Sequence, residues 1–123
     1  MKDQMTTEQY KAALLKEWSE KKFQEHVIEL AHARGWRVAW FRPVRVQRAN
    51  GTAYYETPVG ADGAGWPDLV LVRADTILFA ELKRENGSLA PAQEAWAKAL
   101  DATGVPVYLW RPRDLLEIER TLR

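Results

Sequence analysis

The sequence predicts an α/β or α+β sandwich, in which one sheet is flanked by helices. Two segments, DLVLV (68–72) and TILFAEL (76–82), are apolar and β-branched in the way that is typical of buried strands. Apolar residues at helical spacing occur on both sides of them, before residue 35 and after residue 90. With 123 residues, of which 46% are hydrophobic, the chain is long enough to bury one core and short for two domains.

Two helices are predicted at the start of the chain. Residues 7–18 place apolar side chains at helical spacing, and a second helix begins at Glu20, after the N-cap Ser19, and ends at Gly35. The residues alone leave open whether these are one kinked helix. We expect two parts, an N-terminal helical extension at 1–18 and a single domain at 19–123.

The rest of the chain is predicted to alternate between strands and helices. Asn50-Gly51 is the preferred pair for a two-residue hairpin turn, and a glycine-rich loop follows at 60–65. The predicted elements are a strand at 36–46 weakened at Pro43, a return strand at 53–57, the strands at 68–72 and 76–82, a helix that begins at Pro91 and ends at Gly104, a strand at 105–110 and a helix at 112–122.

The composition excludes several classes of protein. There is no cysteine and there are only two histidines, which excludes a disulfide scaffold, a thiolate metal site and a three-histidine zinc centre. A net charge of +1 excludes a histone-like polycation. Because no stretch approaches the roughly 18 to 20 apolar residues of a membrane span, and the N-terminus has no signal-peptide apolar region, we expect a soluble protein that does not associate with membranes.

Arginines are concentrated in one acid-free stretch of the chain, between Glu29 and Glu56. The planar guanidinium group binds phosphate oxygens with two hydrogen bonds, so this stretch is either a phosphate-contacting strip or an ordinary solvated basic face. The composition alone does not decide between them. The five arginines are Arg34, Arg37, Arg42, Arg45 and Arg48.

The strand at 76–82 carries the clearest chemical signal. Side chains alternate along a strand, so Glu81 and Lys83 share one face and Leu82 lies on the other. Asp68 opens the preceding strand, one hairpin away, and can lie beside Glu81. Two carboxylates that meet at a strand end form a hard-oxygen site suited to Mg²⁺ or Mn²⁺. The alternative is a salt bridge between Glu81 and Lys83 at a sheet edge.

These motifs resemble those of a known nuclease family. GWPDLVLV with Asp68, the triplet Glu81-Leu82-Lys83 and the later SLAPAQEAW look like the PD-(D/E)XK nuclease superfamily and, within it, the VRR-NUC family of virus-type replication and repair nucleases. The similarity runs from about Ser19 to Pro112. It implies an αβββαβ core with a central mixed sheet flanked by helices.

The resemblance also implies roles for individual residues. Lys83 would be the catalytic lysine, and Gln93 would position Lys83 or a phosphate, unless it is only a solvated helix residue. Glu20 and Gln24 would share one face of the first core helix, with Glu25 as a competing carboxylate because the register is open. Asp62, in the glycine-rich loop, is either a further acidic contributor or a turn residue, and we favour the turn. The implied metal ligands are Asp68, Glu81, the backbone carbonyl of Leu82 and, near the metal or its water, Glu20.

The activity implied by the resemblance is Mg²⁺- or Mn²⁺-dependent hydrolysis of DNA, without a nucleotide cofactor and with little sequence specificity. Stand-alone members resemble Holliday junction resolvases, which act as homodimers in DNA replication, recombination or repair, here in the cytoplasm of a bacterial or phage-infected cell. Alternatives are a flap or nicking endonuclease, a non-catalytic DNA-binding module, and a purely structural or interaction protein.

Trp66 would stack on an unpaired base or pack under its loop. The implied DNA contacts are Arg37, Arg42, Arg45, Arg48 and Gln24.

Overall fold

The computed structural model describes residues 6–10, 17–41 and 43–123. Of the first predicted helix, residues 7–10 are helical, 17 and 18 are not, and 11–16 lie outside the described residues, as does Arg42. The elements are α1 (Glu20–Ala33), β1 (Arg37–Trp40), β2 (Val44–Gln47), β3 (Ala53–Glu56), β4 (Leu69–Arg73), β5 (Thr76–Leu82), α2 (Pro91–Asp101), β6 (Val107–Trp110), a 3-10 turn (Pro112–Asp114) and α3 (Leu115–Leu122).

The central sheet is mixed and has the strand order β1-β4-β5-β6. The first two pairings are antiparallel, and β5 pairs with β6 in parallel. The parallel pair needs a crossover, which α2 supplies between β5 and β6. The predicted α/β fold with a mixed sheet flanked by helices is therefore confirmed.

The segment predicted as one strand at 36–46 forms two strands in two different sheets. β1 ends at Trp40 and pairs with β4, whereas β2 pairs only with β3 in a separate two-stranded sheet, which we call the ribbon. Pro43 lies between them. Because proline has no N–H to give to a ladder, the pairing stops there and the chain leaves the central sheet.

The ribbon turn also differs from the prediction. The Arg48 N–H donates to the Thr52 carbonyl at 2.8 Å, and the Gly51 N–H donates to the Arg48 carbonyl at 3.1 Å. Gly51 has a φ of +89°, while Asn50 accepts from the Thr52 N–H at 3.0 Å. The loop therefore has three residues and closes with a glycine bulge, instead of two residues. Arg45 consequently pairs with Tyr55.

The hydrophobic core lies on one face of the central sheet. Helices α1 and α3 cover this face, and the buried side chains alternate with the pleat of β4 and β5. The alternate positions point to the opposite face, on which α2 packs. No helix within the described ranges is long and apolar enough to cross a membrane. The core side chains include Phe23, Val27, Leu69, Leu71, Leu78, Ala80, Leu82, Ile118 and Leu122.

Candidate active site

Asp68 and Glu81 lie opposite one another where β4 begins and β5 ends. Leu69 pairs with Ala80, so the next step of the antiparallel register brings the two acidic residues together. The carboxylate of Asp68 accepts a hydrogen bond from the Leu82 N–H at 2.8 Å, and its carbonyl accepts one from the Phe41 N–H at 2.9 Å. The arrangement proposed from the strand pattern is therefore present in the fold.

These carboxylates line an open cleft of about 760 Å³. Helix α1 forms one wall, the ribbon forms another, and the ends of β4 and β5 form the floor. The cleft brings together all the residues for which the resemblance implied a catalytic or metal-binding side chain. Its lining comprises Glu20, Lys21, Gln24, Trp40, Pro43, Val44, Arg45, Tyr55, Thr57, Asp68, Glu81, Lys83 and Gln93.

The two carboxylates of the floor have perturbed acidity. The pKa of Glu81 is raised to about 8, mainly because the carboxyl group is buried. The negative charge of Asp68 and the hydrogen bond shared with Asp68 raise this pKa further, whereas the positive charge of Lys83 lowers it. Burial also raises the pKa of Asp68, although the Leu82 N–H lowers it. Both shifts disfavour two full negative charges on the pair, and a bound cation would compensate that charge.

Lys83 is adjacent to this pair without forming a salt bridge. Ion pairs of 4.0 Å or less among the described residues join Arg34 to Glu119, Lys98 to Glu94 and Arg123 to Glu119, and none includes Lys83. The alternative of a simple Glu81–Lys83 bridge is therefore not found in this part of the chain. The ammonium group lines the cleft and is available to a ligand.

The donor atoms on the floor suit a hard divalent cation. The Lys83 N–H donates to the Trp110 carbonyl of β6 at 3.0 Å, so the preceding Leu82 turns its N–H and carbonyl toward the other side, where Asp68 lies. Two carboxylates and one carbonyl are thus available, with excess negative charge. No group of three or more acidic, histidine or cysteine side chains close enough to hold a metal occurs within the described residues. Of the implied ligands, Asp68, Glu81 and the Leu82 carbonyl fit Mg²⁺ or Mn²⁺.

Gln93 is fixed by two hydrogen bonds at the start of α2. Its amide oxygen accepts from the Ala90 N–H at 2.9 Å, and its amide nitrogen donates to Oε1 of Glu81 at 2.8 Å. The first bond caps the helix, and the second orients the carboxylate. Gln93 was predicted to position Lys83 or a phosphate, whereas in the structure its side chain donates to Glu81.

The N-terminal part of α1 supplies Glu20 and, one turn further along, Gln24 to the cleft. The helix begins after Ser19, whose hydroxyl accepts from the Lys22 N–H at 3.1 Å. Burial raises the pKa of Glu20; Lys83 opposes this effect, and Asp68 reinforces it. Gln24 is only 7% exposed, whereas Glu25 is exposed and does not line the cleft. The helix thus directs Glu20, rather than its competitor Glu25, toward the carboxylate pair.

The glycine-rich loop packs against α2 beside the cleft. Trp66 makes edge contacts with Phe41, Phe79 and Trp96, at ring-centroid distances of 6.4, 5.5 and 5.0 Å. The Trp96 indole N–H donates to the Asp62 carbonyl at 2.9 Å, and Asp62 lies in a turn. Of the two interpretations of Trp66, the structure favours packing under the loop.

The predicted arginine contacts occupy different places. Arg45 lines the cleft and donates to the side chain of Gln47 at 3.0 Å. Arg48 lies 4.3 Å from the centroid of the Tyr54 ring. Arg37 is exposed at the start of β1, three residues from Trp40 at the cleft end, and does not line the cleft. Arg34 pairs with Glu119 at 3.6 Å. Arg42 lies outside the described residues.

The sequence reasoning missed several residues of the cleft, above all Tyr55. Tyr55 faces Arg45 across the ribbon, Thr57 follows the second ribbon strand, and Lys21 lines the cleft from α1. Strand alternation could have placed Tyr55 beside Arg45 once the length of the turn was known.

Together, the mixed sheet and the carboxylate–lysine site at its β4–β5 junction define a nuclease domain of the PD-(D/E)XK type. A family model described as the VRR-NUC domain matches residues 5–114 of the 123. The chain belongs to the VRR-NUC family, and the resemblance seen in its motifs is confirmed. The match begins well before Ser19, where the motifs suggested a start.

No curated protein and no solved structure shows a significant match to this chain. Family membership indicates a DNA-processing function of the nuclease type.

Proposed function

We propose that this protein is a metal-dependent endonuclease that hydrolyses phosphodiester bonds in branched DNA. The proposal rests on the position of Asp68 opposite Glu81 on the floor of an open cleft. Lys83 lines the same cleft and forms no salt bridge with either carboxylate. The other polar groups of the floor and of α1 point into the same space. A non-catalytic binding module would have no use for this combination.

The site would hold Mg²⁺ or Mn²⁺ on Asp68, Glu81 and the Leu82 carbonyl. Such a cation, when bound, supplies positive charge to the scissile phosphate and lowers the pKa of water. Asp68 is kept in position by the Leu82 N–H, and Glu81 by Gln93. These bonds orient the ligand oxygens before substrate arrives, which is the usual contribution of the groups around a metal site.

Lys83 and Glu20 would act on the water and the phosphate. The ammonium group of Lys83 would donate to the attacking water or to a phosphate oxygen, where negative charge increases during hydrolysis. The carboxylate of Glu20 faces the same space from α1 and would hold the water by accepting a hydrogen bond. Gln24, nearly buried one turn along, would support this wall and contact the DNA.

The ribbon would bind the DNA backbone above the site. Arg45 lines the cleft, and Arg48 lies nearer the ribbon turn. Phosphate contacts of this kind position DNA without reading its sequence, so we expect little sequence specificity. Arg42 and Arg37 remain predicted phosphate contacts, with Arg37 farther from the cleft.

The particular branched substrate remains a proposal with two forms. A Holliday junction resolvase would act as a two-fold homodimer, because one site cuts one strand and paired cuts need two sites. A flap or nicking endonuclease would act at one site alone. Both forms use the same cleft and the same residues.

Cleavage of labelled four-way junction, flap, nicked and linear DNA tests the proposal, with Mg²⁺, Mn²⁺ or EDTA at one salt concentration. We expect cleavage of branched DNA with either cation and none in EDTA. Light scattering during size-exclusion chromatography, on the same preparation, gives the oligomeric state. Failure of every DNA to be cut with both cations would refute the proposed function.

A further inference from the structure

The ribbon presents an aromatic ring to the cleft that the chain itself leaves uncovered. Tyr55 is 70% exposed, although it lines the same cleft as Asp68 and Glu81. Within the described residues its side chain has no ring, cation or hydrogen-bond partner. Leaving an aromatic face in water sacrifices the stabilisation that its burial would give. Such exposure beside a reactive site points to a ligand that covers the ring.

Two other aromatic rings of this region, those of Trp66 and Tyr54, already contact groups of the protein. Trp66 packs among Phe41, Phe79 and Trp96, and the guanidinium group of Arg48 covers Tyr54 on the opposite face of the ribbon. Trp66, which the sequence suggested as a stacking platform, is therefore not free to stack on a base. The exposed ring of Tyr55 is free to do so.

The neighbour of Tyr55 across the ribbon indicates what kind of ligand fits. Arg45 is its direct cross-strand partner, so both side chains leave the same face of the ribbon at neighbouring positions. The guanidinium group of Arg45 is held by Gln47 at 3.0 Å. A flat apolar ring beside an oriented cation matches a nucleotide, whose base stacks and whose phosphate is anionic.

We propose that Tyr55 stacks on an unpaired nucleobase next to the scissile phosphate, while Arg45 binds the adjoining phosphate. A base inside a duplex already has a neighbour on both faces, so the ring selects nucleotides that have left the stack. The inference rests on the proposed nuclease function and names its substrate class: branched DNA with an unpaired nucleotide at the branch, as in a flap, in preference to fully paired DNA.

The test measures binding of three DNAs to full-length protein at one salt concentration. The DNAs are a flap that carries 2-aminopurine at its first unpaired position, a continuous duplex and a fully paired four-way junction. Binding is measured in EDTA with Asp68→Asn present throughout, so that no strand is cut. Tyr55→Ala, Tyr55→Phe and Tyr55→Leu are compared, with Tyr10→Ala as the control, because Tyr10 is also exposed (58%) and does not line the cleft.

We expect Tyr55→Ala to weaken binding of the flap by about 10-fold or more and to leave binding of the continuous duplex within about twofold. Tyr55→Phe keeps the ring and should match the parent, including quenching of 2-aminopurine fluorescence. Tyr55→Leu keeps apolar bulk without a ring and should lose the quenching. Equal weakening on flap and duplex, no weakening on either, or quenching that survives in Tyr55→Ala would overturn the proposal, as would a parent that binds the four-way junction more tightly than the flap.

Cleavage by protein that retains Asp68 separates this inference from the proposed function. If the unsubstituted protein and the single variant Tyr55→Ala cut the flap equally fast, the stacking role is overturned and the nuclease function is supported. A protein that quenches 2-aminopurine through Tyr55 but cuts no DNA with Mg²⁺ or Mn²⁺ supports stacking and refutes the nuclease.

Discussion

Gln93 of α2 donates a hydrogen bond of 2.8 Å to Glu81 of β5, and so ties the crossover helix to the acidic pair. The same amide accepts from the Ala90 N–H, which makes the start of α2 and the orientation of Glu81 depend on one side chain. Helix position and carboxylate geometry are therefore coupled at this point of the fold.

Replacing Gln93 with alanine should slow cleavage about 10- to 100-fold, as is typical when the support of a metal ligand is lost. A donor to a carboxylate favours its charged form, so the variant should also raise the pKa of Glu81 in metal-free protein. Carbon-13 NMR titration of the glutamate carboxyl groups measures this. Glu94→Ala is the control, because Glu94 pairs with Lys98 and does not line the cleft. An unchanged Glu81 titration in Gln93→Ala would argue against the orienting role.

The choice between the two carboxylates of α1 can be tested directly. Glu20 lines the cleft with its pKa raised by burial, whereas Glu25 is exposed elsewhere on the helix. Glu20→Gln should lower the single-turnover cleavage rate by about 100-fold, and Glu25→Gln should leave it nearly unchanged. The reverse order of effects would show that Glu25 is the functional residue.

The carboxylate pairing was accessible from the sequence, because it needs only two local facts. Alternation puts Glu81 and Lys83 on one face, and a short connection between the strands brings Asp68 opposite Glu81. Both facts depend on neighbouring residues in one hairpin. The role of Gln93 was only partly accessible, since its contact depends on where α2, the crossover helix, docks after the loop at 83–90.

The ribbon shows why other parts were missed. A two-residue loop at Asn50-Gly51 would pair Arg45 with Glu56, whereas the three-residue loop pairs it with Tyr55. A shift of one residue in register changes every cross-strand neighbour and every face. The preference of Asn-Gly for the shorter turn is a statistical one, and here Gly51 takes the bulge position of a three-residue loop instead.

The raised pKa of Glu81 predicts how the stability of metal-free protein depends on pH. A carboxyl group whose pKa is higher in the folded state, here about 8 against 4.5, stabilises the fold fully below 4.5 and loses this contribution as the pH rises through about 8. Asp68 and Glu20 shift in the same direction. In EDTA, the melting temperature of the parent protein should therefore fall between pH 5 and pH 9 relative to that of Glu81→Gln. Parallel melting curves for the two proteins across this range would contradict the shift.

Gly65 should be required for the position of α2 beside the site. Its φ is +88°, and a Cβ there would lie 2.4 Å from the carbonyl carbon of Ala92. Gly104 has the same conformation, with φ of +89°, but open space around it. Gly104→Ala should destabilise the protein by about 1 to 2 kcal/mol through backbone strain alone. Gly65→Ala should destabilise it more and reduce cleavage, as measured by urea unfolding and activity. Equal effects of the two substitutions would show that the close approach to α2 has no consequence.

The proposed division of roles is that Asp68 and Glu81 hold a divalent cation while Lys83 acts on the reacting groups. Mn²⁺ binding by calorimetry and single-turnover cleavage of flap DNA, measured together on Asp68→Asn, Glu81→Gln and Lys83→Ala, test it most directly. Asp68→Asn and Glu81→Gln should weaken Mn²⁺ binding and abolish cleavage, whereas Lys83→Ala should bind Mn²⁺ like the parent and cut at least about 100-fold more slowly. Full cleavage by any of the three variants, or unchanged Mn²⁺ binding in both carboxylate variants, would refute these roles.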